Sequence, residues 1–109
     1  MKDDRIYLLH INDCLGRVAE YVRAGRAAFF ADTRTQDAVL RNLEVIGEAV
    51  KNLSAAHKDA HPDIPWKRIA GLRDVLIHGY FGVKLETVWE VVERELPTLR
   101  TAIERLLTN

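Results

Sequence analysis

Apolar residues recur along the chain at steps of three and four, the spacing that lines one face of an α-helix. From about Asp4 to Ala24, Tyr7, Ile11, Leu15, Val18 and Val22 form such a face and Gly25 supplies a stop, so a first helix is expected there. Phe29-Phe30-Ala31-Asp32 leads into Thr33 and Gln36, whose separation is that of a capping box and predicts the start of a second helix. Val39, Leu43, Ile46, Val50 and Leu53 carry that helix to about Ala56 as a heptad-like stripe, suited to a core or to a helix-on-helix dimer.

His57-Lys58-Asp59-Ala60-His61-Pro62-Asp63 breaks the pattern and reads as a loop, because proline disfavours helix in the residue before it and cannot extend the hydrogen-bond ladder. Pro65 can open a third segment anchored by Trp66 and Ile69, which Gly79 and Gly82 end. Leu85, Val88, Val92, Leu99, Ile103 and Leu106 predict a last helix from about Leu85 to Leu107, with Pro97 imposing a kink near Glu93 to Leu96. Nothing reads as a strand or a repeat. The expected fold is all-α, an up-and-down bundle of four to five helices forming one domain over residues 1–109.

With 48% hydrophobic residues, a chain of 109 can build a single core without extra staples. Sixteen basic residues balance sixteen acidic ones, so overall charge does not announce a nucleic-acid binder and any contact to RNA has to be local. Cys14 is the only cysteine and has no disulfide partner within the chain; its place beside the apolar face of the first helix marks it as a small buried hydrophobe. No apolar run approaches the roughly 20 residues of a membrane span, and Met1-Lys2-Asp3-Asp4-Arg5 lacks the features of a signal peptide. A cytoplasmic protein without membrane contact is expected.

The densest chemistry lies in Arg73-Asp74-Val75-Leu76-Ile77-His78-Gly79-Tyr80. Arginine offers a permanently charged planar fork suited to phosphate, and histidine exchanges protons near neutral pH. On one continuous helix Asp74 stands beside His78 and Arg73 almost in line with Tyr80, whereas Arg73 and His78 diverge by about 140°. They converge only if the backbone loosens near Gly79 or a second subunit completes the set. Spacing by itself favours a bracing ion pair with a part-buried histidine over catalysis.

Other constellations carry less. His57 and His61 stand four apart with Asp59 and Asp63 nearby, yet Pro62 spoils the helix that would align them and no third ligand has a recognisable spacing, so no metal is expected. Glu86, Glu90, Glu93, Arg94 and Glu95 read as a solvated face. Glu44 and Glu48, one turn apart at the edge of the second helix's stripe, are possible supports for a site, though ordinary surface carboxylates explain them as well.

The stretch RDVLIHGYFGV, with its R-x4-H-x-Y signature, resembles the HepT family of the HEPN superfamily, toxins paired with minimal nucleotidyltransferase (MNT) antitoxins. NLEVIGEAVKNLS at 42–54 and IPWKRIAGLRD at 64–74 extend the resemblance through the middle of the chain. It implies a metal-independent ribonuclease with an all-α fold, without a cofactor, working as a homodimer whose two motif copies face one cleft. Carried over by position, Arg73 and His78 are the catalytic pair, Asp74 occupies the polar position after the arginine, and Tyr80 is the residue that the nucleotidyltransferase partner adenylylates.

On this reading the 2′-hydroxyl of RNA is the nucleophile, His78 moves a proton, Arg73 holds the phosphate and Asp74 orients the ring. Lys67 and Arg68 would add positive potential in a shared cleft. The rival from another class is a catalytically silent HEPN helper that docks a nucleotidyltransferase or binds nucleotide. A structural four-helix oligomer would explain the stripe and leave the motif unexplained.

Overall fold

The computed structural model describes residues 3–78 and 84–108, with backbone only for 73–78. The described residues are helical with no strand among them: α1 (Asp4–Tyr21), α2 (Arg26–Ala31), α3 (Thr33–Asn52), α4 (Ala55–Ala60), α5 (Trp66–His78), α6 (Leu85–Glu90), a π-helical turn (Val91–Glu95) and α7 (Leu96–Thr108). Four rods result, the last made of α6, the π turn and α7. The expected all-α bundle stands, and two single-turn helices, α2 and α4, join the rods.

The polar ties between elements give the rods their directions. At one end, called the base here, Ser54 just after α3 donates its N–H and Oγ–H to the carboxylate of Asp4 at the start of α1, at 2.8 and 2.7 Å. Arg5 reaches the Leu107 carbonyl near the end of α7, and Arg105 of α7 pairs with Asp63 just before α5. Starts of α1 and α5 therefore meet ends of α3 and α7, so the chain runs up, down, up and down.

The stripe on α3 is buried as its spacing predicts. Val39, Leu43, Ile46, Val50 and Leu53 are all at most 3% exposed, and they meet Leu8, Ile11, Leu15 and Val18 of α1, Trp66 and Ile69 of α5 and Leu96, Leu99 and Ile103 of α7 in one core. α3 packs against both α1 and α5, and α1 also packs against α7. Full burial of each such side chain contributes about 1.5–3 kcal/mol, which offsets the entropy of ordering the chain. Cys14 is free and buried within this core, where desolvation pushes its thiol pKa up.

Five boundaries differ from expectation, each for a local reason. The first helix stops at Tyr21 rather than Ala24, because the chain turns through residues 22–24 to Gly25, whose φ of +96° suits glycine. Helix α2 then forms in place of a lead-in, since Phe29 is drawn into the core against Trp89 of α6, with ring centroids 5.4 Å apart. The cap of α3 is Asp32, one residue before the expected Thr33: its carboxylate accepts the Arg34 N–H at 3.0 Å and the Thr35 hydroxyl at 2.8 Å. A carboxylate also complements the helix N-terminus better than a threonine, and these bonds hold its pKa below the usual carboxylate value. Gln36 donates instead to the carbonyls of Phe29 and Phe30, fastening α2 to α3.

The fourth difference is at the base, where α3 ends at Asn52 rather than Ala56. Leu53 and Ser54 turn extended, and the Ser54 hydroxyl accepts the His57 N–H at 3.1 Å to start α4, so half of the expected loop is helix. The fifth concerns Pro97. The irregularity spans Val91–Glu95 as a π turn, two residues earlier than the expected kink at its start, directly ahead of the proline that cannot donate to the preceding turn.

The Asp4 carboxylate is held below its ordinary pKa, first by the Ser54 hydroxyl and then by the Ser54 N–H. Because the folded value is the lower one, its stabilisation is complete above the unfolded carboxylate value and is lost as pH falls through the folded value. Asp4→Ala should lower Tm at neutral pH by several degrees, as expected for the loss of about 1 kcal/mol in a domain of this size. Thermal melts of both proteins should converge as the pH falls through the depressed folded value of Asp4; a gap that stays constant would show that the carboxylate is not what ties α1 to α4.

Candidate functional site

Helix α5 buries Trp66 and Ile69 against the bundle and exposes Lys67 and Arg68. It continues as helix through His78, so the backbone does not loosen between Arg73 and His78. Five residues of helix separate these two positions by about 140° around the axis and about 7.5 Å along it. By register Arg73 returns to the line of Trp66, seven residues earlier, while Asp74 and His78 continue the line that begins with Lys67 and Gly71. The other route to convergence, at Gly79, and the expected modification site Tyr80 lie outside the described residues, as does the helix end expected at Gly79 and Gly82.

Direction matters as much as register. Because α5 rises from the base, His78 stands at the opposite end of the bundle, the end where α1 finishes, α3 begins and α6 starts. There Phe29 and Trp89 close the core from α2 and α6. The Arg73–His78 segment thus sits on the final turns of a rod braced on its inner side by α3.

Comparison with known proteins decides what this helix belongs to. The model of the family described as "Ribonuclease HepT-like" matches residues 11–106, which includes every helix from most of α1 to most of α7. This chain is a HepT-like protein of the HEPN superfamily. It is 42% identical over 101 residues to "Probable ribonuclease HepT" of Thermococcus cleftensis, covering 92% of each chain. It is 41% identical over 108 residues to a Caldanaerobacter subterraneus protein named "Putative RNase", covering 98% of this chain and 96% of that one. A two-function relative from Methanocaldococcus jannaschii, "Gamma-glutamylcyclotransferase and putative RNase", is 42% identical over 107 residues; the chain spans 97% of itself there but only 48% of that protein's length. No solved structure gives a significant match.

Within the HepT-like domain, the two cations expected beside the motif have different surroundings. Arg68 is not available as a bare cation: its Nε meets the Glu95 carboxylate at 2.9 Å, bridging the first turn of α5 to the π turn before α7. This pair crosses a groove of about 580 Å³ between α5 and α7, bordered at the base by the Asp63–Arg105 pair. Lys67 turns to the other side of α5 and borders a second, open groove together with Lys51 and Lys58. Spacing gave no hint of that trio, because its members come from α3, α4 and α5.

The remaining candidates lie on α3, on α4 and in the turn that follows α4. His57 and His61 approach to 4.9 Å between ring centroids, on α4 and its C-cap, and the indole of Trp66 donates to the His61 carbonyl at 3.0 Å. Among the described residues, however, no group of three or more histidine, cysteine or acidic side chains is placed to hold a metal ion. Asp63 is taken by Arg105. Glu44 pairs with Arg41 at 3.8 Å, and both Glu44 and Glu48 border a shallow groove with Tyr7 and His10 of α1, on the face of α3 turned to α1. Asn42, buried in α3 with its amide donating to the Ala38 carbonyl, is a polar core residue that the stripe pattern passes over.

If Arg68 serves as a tether, Arg68→Ala and Glu95→Ala should each lower stability by no more than about 1 kcal/mol, as is usual for an exposed pair. The double variant should cost less than the sum of the two, because the first substitution already removes the pair. Chemical denaturation of the four proteins measures this; full additivity would show that the pair contributes nothing.

Proposed function

We propose that this HepT-like protein is a metal-independent endoribonuclease, the toxin of a toxin–antitoxin pair, acting as a cytoplasmic homodimer. Membership of the HepT-like family supports the reaction class. The observation that carries the two-subunit form is the unbroken helix through His78, which leaves Arg73 and His78 on different sides of α5 within one copy. A second copy related by a two-fold axis would present its own Arg73 and His78 to the same cleft, providing two arginines and two histidines for one phosphate.

The reaction then needs little else. The RNA 2′-hydroxyl attacks the adjacent phosphorus, the 2′-O–P bond forms as the P–O5′ bond breaks, and a 2′,3′-cyclic phosphate is left on one product. His78 of one subunit takes the proton from the 2′-hydroxyl and its counterpart donates one to the departing 5′-oxygen. The Arg73 side chains hold the phosphate and stabilise the charge that develops on its oxygens. Asp74, one turn before His78, orients the imidazole and favours its protonated form. Adenylylation of Tyr80 by a nucleotidyltransferase antitoxin places a phosphate where it competes with RNA for Arg73, which silences the enzyme without unfolding it.

Arg73→Ala and His78→Ala should each abolish RNA cleavage in EDTA-containing buffer, with the helical circular-dichroism signal and the dimer mass by light scattering unchanged. Activity lost with chelator and restored by a divalent ion would overturn metal independence, and a monomer at cleaving concentrations would remove the shared cleft. Tyr80→Phe should retain cleavage yet escape inactivation by the nucleotidyltransferase and ATP. Intact-mass spectrometry should find adenylate on the wild type alone; the same added mass on the phenylalanine variant would move the modification elsewhere.

A further inference from the structure

The groove bordered by Lys51, Lys58 and Lys67 is an open depression of about 940 Å³ at the base of the bundle. Its walls come from three helices: Lys51 in the last turn of α3, Lys58 in α4 and Lys67 in the first turn of α5. Among the described residues Asp59 is the only acidic one on its rim, and the Arg68 at its edge is offset by Glu95. With Lys58, whose Nζ donates only to the neutral Val50 carbonyl at 3.4 Å, and the exposed Lys67 set against Asp59, a chain whose sixteen cations and sixteen anions cancel keeps a local excess of positive charge here. The floor, including Pro65 and the buried Trp66, is apolar and uncharged.

The position of the groove gives the charge a direction. Lys67 heads the line along α5 that continues through Gly71 and Asp74 to His78, at steps of four, three and four residues. Eleven residues of helix place His78 about 16 Å along the axis from Lys67. A flexible polyanion held at His78 and running down this face of α5 reaches the lysines after a few nucleotides.

We infer that the Lys58–Lys67 groove is a phosphate-binding subsite for single-stranded RNA flanking the cleavage point, so that the substrate is a strand extending several nucleotides to one side of the scissile bond. This rests on the ribonuclease reading for its register with His78. Lysine suits such a subsite because a compact charge on a flexible stem tracks a backbone without reading bases, which adds affinity and orientation but no sequence preference. Each phosphate neutralised adds about 0.7 to the magnitude of the slope of log affinity against log salt for a single strand.

The test uses the full-length protein, Lys58→Gln/Lys67→Gln and the charge-reversed Lys58→Glu/Lys67→Glu. The probe is a short fluorescein-labelled RNA of mixed sequence, made both with 2′-O-methyl riboses, which block cleavage, and unmodified. Anisotropy on the blocked RNA should show the glutamine variant binding about tenfold more weakly at low salt, with the salt slope reduced by about 1.4 for two lost contacts. The glutamate variant should bind more weakly still, while thermal melts confirm that both variants fold. Unmodified RNA should be cleaved with a raised KM and an unchanged kcat, since neither lysine touches the reacting atoms.

Unchanged affinity and slope in folded variants would overturn the subsite while leaving the ribonuclease reading intact. Groove-dependent binding by a wild-type protein that leaves unmodified RNA uncut would keep the subsite and sink the ribonuclease. If the variants bind and cleave RNA like wild type but lose a nucleotidyltransferase partner, the groove is a protein-docking surface and the inference is wrong.

Discussion

Everything in this bundle depends on the burial of one helix. α3 carries its apolar stripe between α1 and α5, and the residues along it are almost wholly removed from water. A rod with neighbours on two sides leaves little freedom to either, so α5 is fixed in height and rotation by the Trp66 and Ile69 contacts it makes with this core. The Arg73–His78 segment is the upper continuation of α5, and its register is set from below. Arg73 and His78 diverge around the axis because the helix that presents them has no reason to break before His78.

The polar ties at the base complete that placement. Asp4 holds Ser54, Ser54 starts α4, and the Trp66 indole closes on the His61 carbonyl, so the end of α3 and the start of α5 are tied at one end of the molecule. A chain with only apolar contacts could slide its rods by a turn at modest cost. Directional hydrogen bonds to a carboxylate and to a helix N-terminus disfavour such slippage. The lysine groove is a by-product of the same construction: residues from three helices meet there only because α4 folds back across the end of α3.

A neutral chain can thus handle a polyanion if its cations are segregated. Arg68, Arg105, Arg41 and Arg94 are balanced by carboxylates at 2.9 to 3.8 Å, whereas Lys58 Nζ donates to the Val50 carbonyl at 3.4 Å and shares the groove with Lys67. Net charge describes neither pattern. Association with RNA would respond to the local arrangement, screened over about 10 Å at ordinary ionic strength.

Much of this was legible from residue order alone, because helices bury what their 3.6-residue period places on one side. The α1 face of Ile11, Leu15 and Val18, the α3 stripe and the α7 line of Leu99 and Ile103 are buried as the spacing requires. The motif's helix and the family it belongs to follow from the RDVLIHGY stretch and its flanks, local features that need no partner to be read. Competition between near-equal local signals was not legible. Asp32 outranks Thr33 as a cap, and Ser54 ends α3 early because Asp4, fifty residues away, draws its N–H and hydroxyl. Likewise Phe29 makes α2 a helix only because Trp89 is there to receive it, and Arg68 becomes a tether only because Glu95 lies across the groove. The sequence by itself determined which faces are apolar and where the motif residues stand along the chain. The tertiary structure alone decided which charges meet across helices, as Arg68 meets Glu95 and Arg105 meets Asp63, because that depends on distances between helices that no spacing within one helix encodes.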